Sequence, residues 1–335
     1  AWFVQLLLGK RSPDNRHDGS PWSLHDARAR LRAGVPLPKA ALIQVRGDWE
    51  GLCQQWLRHF GNELFFCWLC DATLGGALRY TDVGPDAPHR ATLLTHATYV
   101  ALCFAARVQP ATIFGCPGAT LNNIAIEAMH CGDLGTFQDA IGSLFWLEIT
   151  NKTLFPNAAA GLRALNGQLR LYYQANPGYS PTQLSMAQVR SRDPGFPVLK
   201  AKAAQTRHMA GFALILARRH AMGDASRGPF SFRPTSRLAE RVGDYRRLVV
   251  DVVEGLNEYY IGTDDDTYDV NACKRGGYKY LRSLSALNLM WREGVPDEQQ
   301  RALPWHLRPK CHEYQHLLEE QLERWGSPRR FWCYG

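Results

Sequence analysis

Two cysteines one turn apart, Cys67-Trp68-Leu69-Cys70, constrain this chain more than any other feature. Two thiolates at that spacing can grip one side of a tetrahedral metal, and the remaining ligands must then come from elsewhere in the chain. The pair closes a stretch that begins as a short apolar run, Ala41-Leu42-Ile43-Gln44-Val45, and continues through Arg46-Gly47-Asp48-Trp49. A β-prone run that ends in a carboxylate puts Asp48 at a strand end beside a metal knuckle, the setting of a catalytic-type Asp. The bland alternative is a pair of buried apolar cysteines, flanked by Phe65, Phe66 and Trp68.

The missing half of a zinc site has a candidate in His312-Glu313-Tyr314-Gln315-His316. On a helix, i and i+4 spacing puts both imidazoles on one face. Such a pair on an amphipathic helix can equally be solvated surface, and it is the distant cysteine pair that favours ligation. His306 and Cys311 stand close by as substitutes. A second polar cluster, Glu127, His130 and Asp133, shares a face of an expected helix and reads either as a divalent-metal site or as a buried hydrogen-bonded network. The run Asp264-Asp265-Asp266 could bind a cation, and reads first as a solvated loop.

A length of 335 residues suggests about two domains, or one domain with a large insertion. With 45% hydrophobic and 21% charged residues, disorder is not the default. The net charge of +8 favours a polyanionic partner without requiring one. Lys200, Lys202, Arg207, His208, Arg218, Arg219 and His220 form a basic helical stripe, followed by Arg233, Arg237, Arg241, Arg246 and Arg247. It reads as a set of phosphate contacts or as an ordinary solvated basic face. Nine cysteines in so long a chain are too sparse for a disulfide scaffold, and a reducing interior is expected. The apolar segment at residues 2–8 is far shorter than the roughly 20 residues of a membrane span, so no membrane partner is expected. Because the chain opens without Met and stops at Phe331-Trp332-Cys333-Tyr334-Gly335, a fragment of something longer is expected.

Breakers and periodicity divide the chain into four parts: residues 1–40, a linker or incomplete N-terminal part; 41–118, a small α/β region with the cysteine knuckle; 119–300, mainly helical; and 301–335, a returning helix with the histidine pair. A strand is expected over 41–48, and helices over 50–60, 95–107, 122–150, 158–173, 202–220, 245–260, 278–292 and 310–325. Gly132 and Gly135 weaken the helix at 122–150 near its middle.

Asp48, Cys67-x-x-Cys70, Glu127-x-x-His130 and His312-x-x-x-His316, in this order, resemble the DDE-type transposases of eukaryotic cut-and-paste elements, particularly the CACTA-like and Kyakuja-Dileera-Zisupton groups. The chain looks closer still to transposon-derived reading frames found in many copies in some protist genomes. The resemblance implies an α/β fold with a large all-α part: a partial RNase H-like core interrupted by a helical insertion. It makes Asp48 the second catalytic carboxylate, working in an intact relative with Mg or Mn. By similarity to the catalytic subunit of the V(D)J recombinase, Cys67, Cys70, His312 and His316 become ligands of a structural zinc. DNA would be the partner, held by Lys200, Lys202, Arg207, Arg218 and Arg219, with a nuclear location and a possible homo-oligomer. Two departures stand out. Glu127 occupies a position where those families carry Asp, and neither Asp14, Asp18 nor Asp26 suits the first catalytic Asp. The final Glu would fall just past Gly335, so a fragment inactive by itself is expected. The competing expectations are a non-catalytic zinc-stabilised helical module that binds DNA or protein, and a plain helical scaffold without metal.

Overall fold

Ser, Thr, Asn and Asp compete with helix interiors for backbone hydrogen bonds and so tend to mark helix starts. Here Thr95 Oγ1 accepts the Thr98 N–H at 3.1 Å and opens α1 (His96–Ala105). Ile124 and Ile126, β-branched, fall into a strand, β2 (Ile124–Ile126), which pairs in parallel with β1 (Val45–Gly47). In the computed structural model the described residues are 44–48, 52, 67–107, 109–115, 118–179, 182–190, 195–222, 241–300 and 302–331. The linker at 1–40, nearly all of the helix expected over 50–60, and Arg233 and Arg237 lie outside them. What is described is mostly helical, with two parallel strands.

The helix expected over 122–150 is three elements instead. After β2, the Glu127 carboxylate accepts the N–H groups of Met129 at 3.2 Å and His130 at 2.8 Å, and a π-helical segment, Met129–Thr136, begins. Gly135 leaves helical geometry, and α2 (Phe137–Ile149) follows. A Cβ at Gly135 would lie 2.8 Å from the His130 carbonyl oxygen, so the bend depends on glycine. Beyond it come α3 (Ala158–Ala175), capped by Asn157; α4 (Ala203–Met222); α5 (Val242–Gly262); and α6 (Val270–Arg292), capped by Asp269. Next comes α7 (Pro309–His316), which runs through a π-helical turn, Leu317–Gln321, into a further helical turn, Leu322–Trp325, followed by a 3-10 turn, Pro328–Phe331.

Two units emerge: the described residues up to Cys70 with Leu93–Ala125, and Asp71–Thr92 with the chain from Ile126 onward. In the first, the Leu94 N–H donates to the Leu69 carbonyl at 2.9 Å, and the Leu121 N–H to His96 Nδ1 at 3.2 Å. The second is built around Phe137, whose ring meets Tyr259, Tyr260, Tyr280 and Tyr314 edge-on at centroid distances of 5.0 to 5.7 Å. Edge-to-face contacts add to the burial of five large rings. α5 and α6 cross at glycines. A Cβ on Gly276 would lie 2.5 Å from the Tyr259 nitrogen, and one on Gly255 2.6 Å from the Gly276 oxygen.

The approach to α7 is fixed before the helix starts. Trp305 is buried at φ 59°, a left-handed conformation that a bulky residue adopts only when its surroundings compel it. Its N–H donates to Ser143 Oγ at 2.9 Å, and its carbonyl accepts from Asn288 Nδ2 at 2.8 Å. Arg308 then clamps Asp139 of α2 with two hydrogen bonds of 2.7 Å. No described helix is long and apolar enough to cross a membrane. Gly276→Ala should cost about 1–3 kcal/mol by forcing α5 and α6 apart, read from the midpoint of urea unfolding.

Candidate metal centre

Residues 311–316 are all buried, so α7 has no solvated face. His312 is 0% and His316 1% exposed, which removes the reading of the histidine pair as surface. Their i,i+4 spacing brings the two Nε2 atoms to 3.0 Å, with the rings 4.5 Å apart and nearly perpendicular. Cys67 and Cys70 are equally buried, at 0% and 1%. One ligand atom from each of the four residues lies within 4.8 Å of all the others.

That spacing fits zinc. Zn–N bonds of about 2.0–2.1 Å and Zn–S bonds of about 2.3 Å, at tetrahedral angles, separate ligand atoms by roughly 3.3–3.8 Å. The four residues could therefore hold a zinc ion after small side-chain adjustments. Two features of the surroundings match the same chemistry. The Leu69 N–H points at Cys67 Sγ from 3.3 Å, a donor that favours thiolate. His316 Nδ1 lies 2.8 Å from Glu320 Oε2, and a carboxylate there holds the proton on Nδ1 and turns the Nε2 lone pair toward the cluster. Glu320 is itself held by Arg90 Nη2 at 3.2 Å. Burial, with the Cys70 thiol beside it, pushes Cys67 well above the ordinary thiol range; a dication bound there would reverse that preference.

Four residues that the spacing argument did not single out complete the surroundings. His89 is buried, its Nε2 is 3.2 Å from Gln315 Oε1, and its ring meets His312 edge-on at 4.7 Å. Gln315 Nε2 in turn donates to the Gly84 carbonyl at 2.8 Å. Glu320 was within reach of sequence reasoning, since it repeats the i,i+4 step from His316. His89 and Arg90 carried no local signal, lying between the helices expected over 50–60 and 95–107.

The other candidates are placed as follows. Asp48 is exposed and directly follows β1; among the described residues it belongs to no group of three or more metal-ligating side chains. Glu127 Oε2 and His130 Nδ1 are 2.6 Å apart, and the same carboxylate caps the π-helical segment. Asp133 turns elsewhere: its Oδ1 accepts the Tyr260 hydroxyl at 2.5 Å. Cys311 Sγ meets Thr136 Oγ1 at 3.0 Å, and His306 stacks on Phe196 with its Nδ1 2.6 Å from Arg292 Nη2. Burial and that guanidinium lower His306 to about 4, so it is neutral at pH 7.

Of the basic residues, Lys200 and Lys202 are exposed in the segment ahead of α4. Arg207 is half-buried and lines a cleft of about 620 Å³ with His208, Asn257 and Tyr260. Arg218 pairs with Glu254 at 2.5 Å, and Arg219 with Glu148 at 2.7 Å. No family model, curated protein or solved structure matches the chain.

Glu320→Gln should weaken zinc affinity roughly 10–100-fold in a chelator competition, because the carboxylate that orients His316 is lost. A separate titration follows from Asp133. Burial raises its carboxyl from 3.8 to about 7, so the folded state binds the proton more tightly than the unfolded state. Its contribution to stability is full below about pH 4 and is lost as pH rises through about 7. Asp133→Asn should flatten the fall in unfolding free energy across that window, measured by urea titrations at successive pH values.

Proposed function

We propose that the chain is a zinc-stabilised helical DNA-binding protein of transposase descent, without strand-cleaving activity of its own. The observation that carries the reading is the buried Cys67, Cys70, His312 and His316 group with Glu320 behind it. Two thiolates and two imidazoles form a closed donor set of the structural kind, in which no coordination position is left for a reacting water. Zinc bound there would contribute to folding; in small zinc-dependent peptides its binding is worth about 10–16 kcal/mol at pH 7.

DNA as the partner is supported by the motif order and by the +8 charge. Lys200, Lys202 and Arg207 are the phosphate contacts in this reading. The non-catalytic form is preferred because phosphoryl transfer with two metals needs several carboxylates around ions roughly 3.5–4 Å apart. Asp48 would supply one of them in an intact relative.

Protein purified without chelator should carry about one zinc per chain, the capacity of a single four-ligand site. Cys67→Ser and His316→Asn should each lose it and melt at lower temperature. Labelled duplex DNA should bind, with an affinity that drops steeply as salt rises, and Asp48→Ala should bind as well as the parent. Absence of zinc by elemental analysis would end the metal reading. Zinc without DNA binding would replace the partner with a protein.

A further inference from the structure

A groove on α3 has the makings of an anion site that neither the metal centre nor the basic stripe accounts for. Arg163, Asn166, Gly167 and Arg170 lie at i, i+3, i+4 and i+7, which places them on one helix face. They form one wall, and Thr182 and Gln183 form the other, around a space of about 730 Å³. That volume is in the range of sites for small organic ligands. The second wall is fixed to the first. Asn166 Nδ2 donates to the Leu184 carbonyl, and Asn166 Oδ1 accepts the Leu184 N–H, both at 2.8 Å.

Charge and shape point the same way. Among the described residues no carboxylate lines the groove and neither arginine forms an ion pair. This distinguishes them from Arg218 and Arg219, which hold carboxylates. Two unopposed guanidiniums beside uncharged amides and a hydroxyl make a surface that recognises oxyanions, because each guanidinium presents a planar fork matched to phosphate. Between the two arginines stands Gly167, and a Cβ there would meet nothing within 4 Å. Glycine in a helix interior weakens it, so its place here is not a packing requirement; it leaves the floor of the groove open. Seven residues of helix separate Arg163 from Arg170 by roughly 10 Å along the axis, a distance suited to two anionic groups on one ligand.

We propose that this groove binds a ligand with at least two phosphate groups, through Arg163 and Arg170. Two sources share that chemistry, a free nucleoside polyphosphate and consecutive phosphates of a nucleic-acid strand. The intact chain would be titrated with pyrophosphate, a nucleoside triphosphate and a short labelled single-stranded oligonucleotide, by calorimetry and fluorescence anisotropy.

At least one probe should bind. Arg163→Gln and Arg170→Gln should each weaken it roughly 10–100-fold, as loss of a charge-assisted contact does. Gly167→Glu should abolish binding by placing a carboxylate on the floor, while its helix and melting temperature are kept or raised. Binding of the triphosphate and pyrophosphate identifies the free nucleotide, and binding of the oligonucleotide alone identifies the strand. The proposal is overturned if none of the three binds, or if the double glutamine variant binds as tightly as the parent.

Discussion

Two imidazole nitrogens held 3.0 Å apart in a site closed to water set the terms for the rest of the site. With Glu320 keeping the proton of His316 on Nδ1, its Nε2 offers a lone pair inward, and only a proton or a cation can sit comfortably between it and His312. A proton joins the two nitrogens and does nothing for the sulfurs nearby. A zinc ion engages all four atoms at once. Closing a chain of about 240 residues between Cys70 and His312 costs about 5 kcal/mol in loop entropy, a cost that a zinc ion bound by all four residues would help to offset.

Placing the histidines to that accuracy is work for the helix that carries them. α7 has no solvated face to orient it, so packing and a few strong polar contacts must do so. Arg308 clamps Asp139, Trp305 is locked in a left-handed conformation by two hydrogen bonds, and Tyr314 sits against Phe137 at 5.0 Å. Lys310 Nζ donates to the His130 carbonyl at 2.9 Å. This also gives the buried Glu127 and the half-buried His130 a physical reason to be polar. They cap and bend the segment against which α7 is laid.

The helical part was readable because it follows the 3.6-residue period with ordinary caps; the helices expected over 158–173 and 202–220 appear as Ala158–Ala175 and Ala203–Met222. The stretch at 122–150 misled for a definite reason. Its apolar residues keep a helical spacing, yet Ile124 and Ile126 find a strand partner and Gly135 breaks the turn, and both are tertiary effects that local pattern cannot carry. The four ligands were legible as two spaced pairs, and their union was expected from the need of each pair for a second half and from the resemblance, since no local rule links residue 70 to residue 312. His89 and Arg90 were invisible for the same cause: a residue in a short 3-10 turn, here Pro88–Thr92, becomes part of a site only once a distant helix is set against it.

Charge is where sequence and structure diverge most, and the energetics decide how. Arg219 cannot be counted as a free phosphate contact. Its partner Glu148 is 1% exposed, and taking the guanidinium away would leave that buried carboxylate with His220, 2.6 Å away, as its remaining partner among the described residues. Arg218 is different, because it and Glu254 form an exposed pair of the kind worth about 0–1 kcal/mol, and Lys279 at 2.5 Å would keep that carboxylate satisfied if Arg218 left. Two adjacent arginines on one helix thus have different standing: Arg219 holds a buried carboxylate, and Arg218 holds one that Lys279 also satisfies. Net charge counts them alike, and burial of the partner is what separates them.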